Sequence, residues 1–461
     1  MRQLVYFVAL ISLLYANVQV LHKARITDLQ EPAKVHPAVR AFTTGTKFIF
    51  AVTNSHLNDG DNTYTENITL IITNYDSTKP ATVTVSTPSA LFSTATFTVP
   101  PLQNSLFNLP PEIQTNYRDQ HVGYFQTTNR SITVVADTTV TVVVRNAHSD
   151  GVSEDMYTVY PVCSLGTSYR SVGDDAARNN MRSTNIWSVV ATQDGTQVTT
   201  FPPLTNPATV TINAGQVLTI AVNVIPLTNY QITTNFPVAV ISGAVCGFGY
   251  WNPLICNYEA IMLFPIQDSG LLFPYTQFIS EDRGEVMLFS QSQNTTVYVN
   301  GVAQGTLAGA QAYYIFSILG SAMITTSNPS YAVAVSSIRT DGQGSPFLVH
   351  IPSVSQFTNQ TYIQVTTGLT GRSPASHYIR LQTDLPSTGK LTVDNWVVSP
   401  LFYQRQGKST YYVADFPVQP GTHVIQSTDP NVKYAATVYG HAAFTAYGYT
   451  PGIDIPTTGT C

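Results

Sequence analysis

Four cysteines stand in this chain of 461 residues: Cys163, Cys246, Cys256 and Cys461. An even count favours disulfides in an oxidising compartment, and four cysteines allow three pairings. Cys246 and Cys256 bracket the segment Gly-Phe-Gly-Tyr-Trp-Asn-Pro-Leu-Ile. A bridge there would close a loop of about ten residues and contribute roughly 2.5–3 kcal/mol in the chain-entropy picture. Cys163 either pairs with Cys461, or Cys461 at the chain's last position bridges to another chain and makes a disulfide-linked oligomer. Metal chemistry is the poorer reading, because the spacing is not CxxC and no histidine lies beside the pair.

The carboxylates gather in three places. Asn58–Glu66 holds several oxygen ligands, but its glycine is misplaced for a calcium loop, so a solvated turn is expected. The segments Gly173-Asp-Asp-Ala-Ala-Arg-Asn-Asn180 and Ser280-Glu-Asp-Arg-Gly-Glu285 each carry acids. A glycosidase would need one carboxylate from each, Asp174 and Glu281 for instance, facing across a cleft. Both segments precede the first strand of a repeat, which favours exposed linkers. The nine histidines are scattered, and no HExxH, GxSxG, Walker loop or GxGxxG occurs. No catalytic residue, metal ligand or cofactor is expected. Among the 26 tyrosines many lie near turns, and Phe248, Tyr250 and Trp251 sit inside the Cys246–Cys256 loop. Stiff aromatic groups with a polar tip suit a contact surface, and pinning both ends of their loop lowers the entropy cost of binding. That loop is the candidate contact site.

The compartment is read from the N-terminus and from the sequons. Met1-Arg2 precedes about a dozen apolar residues, with small residues near Ala16 and Val18, which is the pattern of a secretory signal peptide over residues 1–18. No second apolar run reaches membrane length. Four glycosylation sequons begin at Asn67, Asn129, Asn294 and Asn359. Only 10% of residues are charged, with a net charge of −5, so no basic patch exists to take a nucleic acid. Solubility must come from Thr, Ser, Asn, Gln and attached sugars. A secreted, extracellular protein is expected.

The elements that hold these residues are strands. Alternation such as Ala81-Thr-Val-Thr-Val85, Thr296-Val-Tyr-Val299 and Lys390-Leu-Thr-Val393 has the period of a pleated, half-covered surface. One pattern recurs about every hundred residues: an apolar strand, a polar turn, then a strand reading like "PVAV". Its copies are Ile132–Val135 with Val140–Val144, Ile232–Pro237 with Val238–Val240, Ile324–Pro329 with Tyr331–Val335, and Ile425–Pro430 with Tyr434–Val438. The fold expected is all-β, built of four units of about seven short strands each. The units cover 19–161 with an N-terminal extension, 162–265, 266–352 and 353–453, and a flexible tail follows over 454–461. Packed β-sandwich-like units are favoured over a β-propeller because one repeat has the length of one sandwich.

Several stretches resemble the N-terminal domain of IgGFc-binding proteins. They are Pro237-Val-Ala-Val-Ile-Ser-Gly243-Ala-Val-Cys246, Cys256-Asn-Tyr-Glu-Ala-Ile-Met-Leu-Phe-Pro265, Ile186-Trp-Ser-Val-Val-Ala-Thr-Gln-Asp-Gly-Thr-Gln-Val198, Leu165–Tyr169, and Tyr439-Gly-His441 followed by Ala446–Gly452. The resemblance implies a secreted, non-catalytic domain associated with mucus or matrix. It supplies no set of binding residues. The function expected is adhesion to extracellular glycoproteins or mucins; the alternatives are a carboxylate-dependent glycoside hydrolase and a purely structural matrix component.

Overall fold

The computed structural model describes residues 43–455, apart from 56–65, 116–123, 150, 174–183, 206–207, 224–226, 249–255, 282, 291, 293, 308–312, 337–338, 340 and 366–375. The signal-like segment lies outside the described residues. Among those described, the regular elements are strands and short 3-10 turns, so the chain is all-β.

Three long strands organise the first three units. In the first, β1 (Gly45–Phe50), β2 (Glu66–Asn74), β3 (Ala81–Ser86), β4 (Ala95–Val99) and β5 (Asn104–Leu109) precede β6 (Tyr124–Thr128), the long β7 (Ile132–His148) and β8 (Glu154–Val159). The first half of β7 carries β1 and β3, with β4 beyond; its second half carries β2 and β8, with β5 beyond. The second unit repeats this with β9 (Gly166–Arg170), β10 (Thr184–Ala191), β11 (Thr196–Phe201), β12 (Thr209–Ile212), β13 (Val217–Asn223), the long β14 (Gln231–Gly247) and β15 (Asn257–Met262). The third does so with β16 (Gly270–Thr276), β17 (Gly284–Ser290), β18 (Thr295–Val299), β19 (Val302–Leu307), β20 (Tyr313–Ile318), the long β21 (Ser321–Val335) and β22 (Leu348–Ile351).

The fourth unit shows the same plan with the long strand cut in two. Its strands are β23 (Gln360–Val365), β24 (Ser376–Asp384), β25 (Leu391–Val393), β26 (Trp396–Val397), β27 (Gln404–Arg405), β28 (Tyr411–Val418), β29 (Gly421–Ser427), β30 (Ala435–His441) and β31 (Ala446–Tyr449). They form two separate sheets, ordered β23-β29-β25-β26 and β27-β28-β24-β30-β31. Each unit is therefore a sandwich of two sheets, and in the first three units one strand crosses from one sheet to the other. The sequence pattern suggests two strands with a polar turn between; only the fourth unit has that break. Elsewhere the polar residues mark the crossing itself. Pro237 and Pro329 fall between the last partner in one sheet and the first in the other, at Thr234/Val238 and Thr326/Ser330. A missing N–H removes no ladder bond there.

Residue patterns tell the two sheets apart. β3 and β11 alternate buried with more exposed positions, as expected of a sheet with one wet face. β8, β10, β15, β17, β22 and β31 are buried at every position. Their sheet is covered on both sides, by its own sandwich and by neighbouring units. The last strands of the four units meet in sequence: β8 packs on β15, β15 on β22, β22 on β31, and β31 returns to β8. The four sandwiches thus form a closed ring. Thr158, Met262, His350 and Tyr449 occupy the same ladder position, opposite Val143, Ile241, Val333 and Val438. They surround the axis, where the residual cavity is only about 10 Å³. That is about the least space a water can use, so the centre is a packed core and not a pore.

Hydrogen bonds hold the ring shut. His350 Nε2 donates to the Met262 carbonyl at 2.9 Å, Thr450 Oγ1 to the His350 carbonyl at 2.9 Å, and Thr158 Oγ1 to the Thr450 carbonyl at 2.8 Å. The Asp155 carboxylate accepts N–H groups from Ala260 at 3.0 Å and Gly448 at 3.4 Å, joining three units. Apolar burial follows the same path. One core cluster runs from Phe48 through Val333, a second joins Ile71, Val143 and Met156 to the fourth unit, and a third joins the third and fourth.

Two details differ from the sequence expectation. β6 lies between β5 and β7 of the first unit in the chain but adds to β13 in the second unit's sheet. Residues Ile453 and Ile455 are fully buried, and the Asp454 N–H donates to the Gln356 carbonyl at 2.8 Å, so the tail expected from 454 begins as packed chain. The apolar side chains at 453 and 455 drive this, since they close the first core cluster.

Candidate binding surface

The inner end of the long strand in the second unit carries the cysteine loop. Cys246 and Cys256 are bonded with Cα atoms 5.1 Å apart. The register between β14 and β15 shifts there, between Ala244 and Gly247. Phe248 is half-buried, while Tyr250 and Trp251 lie outside the described residues. The loop stands on buried polar groups. Asn257, next to Cys256, is fully buried, and its Oδ1 accepts the Glu154 N–H at 2.9 Å and the Ser153 hydroxyl at 3.0 Å. Removing the bridge with Cys246→Ser and Cys256→Ser is expected to lower stability by roughly 2.5–3 kcal/mol, read as a shifted denaturant midpoint. Cys163 sits in the turn Val162–Ser164 between the first two units and is disulfide-bonded; Cys461 lies outside the described residues.

The sequons are spread around the ring. Asn67, Asn129 and Asn294 are exposed, on β2, after β6 and in the turn before β18. Asn359 is half-buried, its Nδ2 donating to the Pro430 carbonyl at 3.4 Å. The two carboxylates considered for hydrolysis are Asp174 and Glu281. Asp174 lies outside the described residues. Glu281 is 4% exposed and its Oε2 accepts the Phe278 N–H at 3.0 Å, bracing its own turn. The cavity beside it, shared with Arg339 and His441, measures about 20 Å³. Among the described residues no three metal-ligating side chains converge.

The histidines of the ring set its response to acid. Burial holds His350, His377 and His441 down at about 4, and for His441 the Arg339 cation adds to the effect. Ordinary histidine titrates near 6.5, so the unfolded chain binds more protons than the fold between about pH 6.5 and 4. Stability therefore falls as pH drops through that window. Burial raises the Asp268 carboxyl to about 6, which opposes the loss. The buried His350 alone is expected to cost about 2 kcal/mol between pH 7 and 5. His350→Gln keeps a donor for the Met262 carbonyl and should flatten the dependence of melting temperature on pH.

A family model described as IgGFc binding protein matches residues 155–440, more than half of the chain. The chain belongs to the IgGFc-binding protein family. No curated protein matches it. Among solved structures, one titled "Biofilm associated protein - BSP domain" is similar at 8% identity, covering 94% of this chain and 99% of that one. Its TM-score of 0.11 carries no argument for fold or function.

The stretch of this IgGFc-binding family chain that matches begins in β8 and ends in β30, so it takes in the second and third sandwiches and most of the fourth. The fourth carries an apolar ridge that sequence reasoning missed. Asp394 and Asn395 have φ of 51° and 69°, the paired positive values of a type I′ hairpin between β25 and β26. The hairpin lifts Trp396, 54% exposed, beside the turn Pro400–Phe402, where Leu401 is 80% and Phe402 50% exposed. Asp394 braces the tip: its Oδ1 accepts the Val424 N–H at 2.9 Å and its Oδ2 meets His423 Nδ1 at 2.7 Å. Burial pulls the His423 ring down, but the Asp394 hydrogen bond and the Gln419 carbonyl outweigh it and raise its pKa. The signal for this hairpin was Asp394-Asn395 between Val393 and Trp396. Among the described residues the tyrosines, by contrast, mostly pack inward. Tyr157, Tyr160, Tyr169, Tyr258, Tyr434 and Tyr447 are all buried, several with the hydroxyl on a main-chain group, as Tyr169 on the Val238 carbonyl at 2.7 Å.

Proposed function

We propose that the chain is a secreted, non-catalytic binding protein that holds extracellular glycoproteins of mucus or matrix. Membership of the IgGFc-binding family over residues 155–440 carries this reading. The apolar leader, the disulfides and the four sequons support secretion. N-linked sugars at Asn67, Asn129, Asn294 and Asn359 would supply the solubility that a chain with 10% charged residues lacks. The closed ring gives a stiff support, and the ridge of Trp396, Leu401 and Phe402, with the loop of Phe248, Tyr250 and Trp251, gives contact area. The expected occupant of the ridge is the protein surface of such a glycoprotein.

The test is capture of purified mucin and purified IgG Fc on the immobilised full-length secreted chain. Retention of mucin is expected, and Trp396→Ser with Leu401→Ser should weaken it about tenfold or more while moving stability by less than about 1 kcal/mol. Retention of Fc would extend the family's named ligand to this chain. Retention of neither would overturn the reading.

A further inference from the structure

A groove of about 670 Å³ lies where the first and second units meet, bounded by β1, the end of β3, the start of β7, the turns after β10 and β12, and the crossing of β14. Its volume falls within the range of about 300–1,000 Å³ usual for small-ligand sites. Its lining has a definite chemistry. Among the described residues Lys47 is the one charged side chain of the lining; it is exposed and makes no ion pair there. Among the described residues no carboxylate lines the groove. The remaining polar groups are mainly hydroxyls, and two of them are already committed as donors. Ser131 Oγ donates to the Gly215 carbonyl at 2.6 Å, and Thr192 Oγ1 donates to the Pro237 carbonyl at 2.5 Å. A hydroxyl has one proton and two lone pairs, so these oxygens are left to accept. Ser131 is fully buried and shapes the wall, so Thr192 Oγ1 is the acceptor that meets a ligand, beside the exposed amide of Gln193 and one cation. The complement is a molecule rich in hydroxyl donors that bears a single anionic group.

We propose that this groove binds an acidic saccharide, a sialic acid or uronic acid residue of a glycan, with its carboxylate on Lys47 and its hydroxyls on Thr192 and Gln193. An acidic peptide fits less well: it brings several carboxylates to a groove with one cation, and few hydroxyls for the polar lining. The inference deepens the glycoprotein-binding reading by naming the part of the glycoprotein held here.

The probes are 3′-sialyllactose, a hyaluronan tetrasaccharide, lactose and a tetra-glutamate peptide, titrated into the full secreted chain by calorimetry. Binding of at least one acidic saccharide is expected, with lactose and the peptide at least roughly tenfold weaker. Whichever acidic saccharide binds more tightly identifies the source. Lys47→Glu should lower that affinity roughly tenfold or more without moving the melting temperature, and Lys47→Arg should retain it. Thr192→Val, which removes one acceptor, should weaken the saccharide without restoring lactose. Equal affinity for lactose, preference for the peptide, or no change in Lys47→Glu would overturn the proposal. Mucin capture that survives Lys47→Glu while no acidic saccharide binds would overturn the groove alone. Saccharide binding without mucin or Fc capture would leave the groove and remove the wider reading.

Discussion

Gly243→Ala is expected to abolish the native fold. Gly243 lies in the second half of β14, opposite Ala260 in β15, at φ of +159°. A Cβ placed there would stand 1.9 Å from the Glu259 carbonyl oxygen and 2.7 Å from its carbon. Both are main-chain atoms, so no rotamer change relieves the overlap, and β15 would have to move. That strand cannot yield cheaply, because the Ala260 N–H is bound by Asp155 and the Met262 carbonyl by His350. The loss should exceed about 4 kcal/mol, the region reserved for a broken core. Soluble yield and near-UV circular dichroism would record it. Gly195→Ala is the control: its φ is +70° but nothing lies within 4 Å, so the change should cost only about 1–2 kcal/mol of backbone strain. Similar losses for the two variants would show that the close approach at Gly243 does not matter.

The second large effect is Asn257→Ala. The amide nitrogen of this fully buried side chain lies 2.8 Å from the Glu154 carbonyl, 2.8 Å from that of Pro346 and 2.9 Å from that of Ala446. Four segments are thereby tied to one side chain, from β8, from β15, from the approach to β22 and from β31. Alanine would leave these carbonyls, the Ser153 hydroxyl and the Glu154 N–H without their partner in a dry interior. At about 1–3 kcal/mol for each stranded group, partly recovered by relaxation, a loss of roughly 3–5 kcal/mol is expected in chemical denaturation. Asn257→Asp keeps the shape but turns a donor into an acceptor facing three carbonyls, and it should fare no better than alanine. A loss below about 1 kcal/mol for Asn257→Ala would remove this residue from the centre of the account.

The sandwiches were legible in the chain and the ring was not. Alternation in Ala81–Val85 and Thr196–Thr200 reports a sheet with one wet face, and the recurrent "PVAV" segments around Val240, Val335 and Val438 each pair with the second strand of their unit. What local patterning does not encode is the closure. Thr158 and Thr450 meet although 292 positions apart in the chain, and neither residue type signals its partner. The unbroken burial of Glu154–Val159, Asn257–Met262 and Leu348–Ile351 is the trace that closure leaves in the sequence, as strands apolar or polar without alternation. Charged and amide side chains at Asp155, Asn257 and Glu259 disguise it, since in isolation they read as wet positions. The same ambiguity hid the candidate surface. Tyrosines near turns suggested contact residues, yet most cover the sheets, whereas Trp396 and Leu401 are lifted into solvent by a two-residue turn.

Hydrogen exchange followed by mass spectrometry on the full chain tests the ring most directly. If the four last strands form one closed core, peptides covering Glu154–Val159, Asn257–Met262, Leu348–Ile351 and Ala446–Tyr449 should be the slowest to exchange. They should also open together, and Asn257→Ala should release all four at once. Four peptides exchanging at unrelated rates, with the fourth unit's strand unaffected by Asn257→Ala, would show independent sandwiches strung along a chain and would contradict the closed ring.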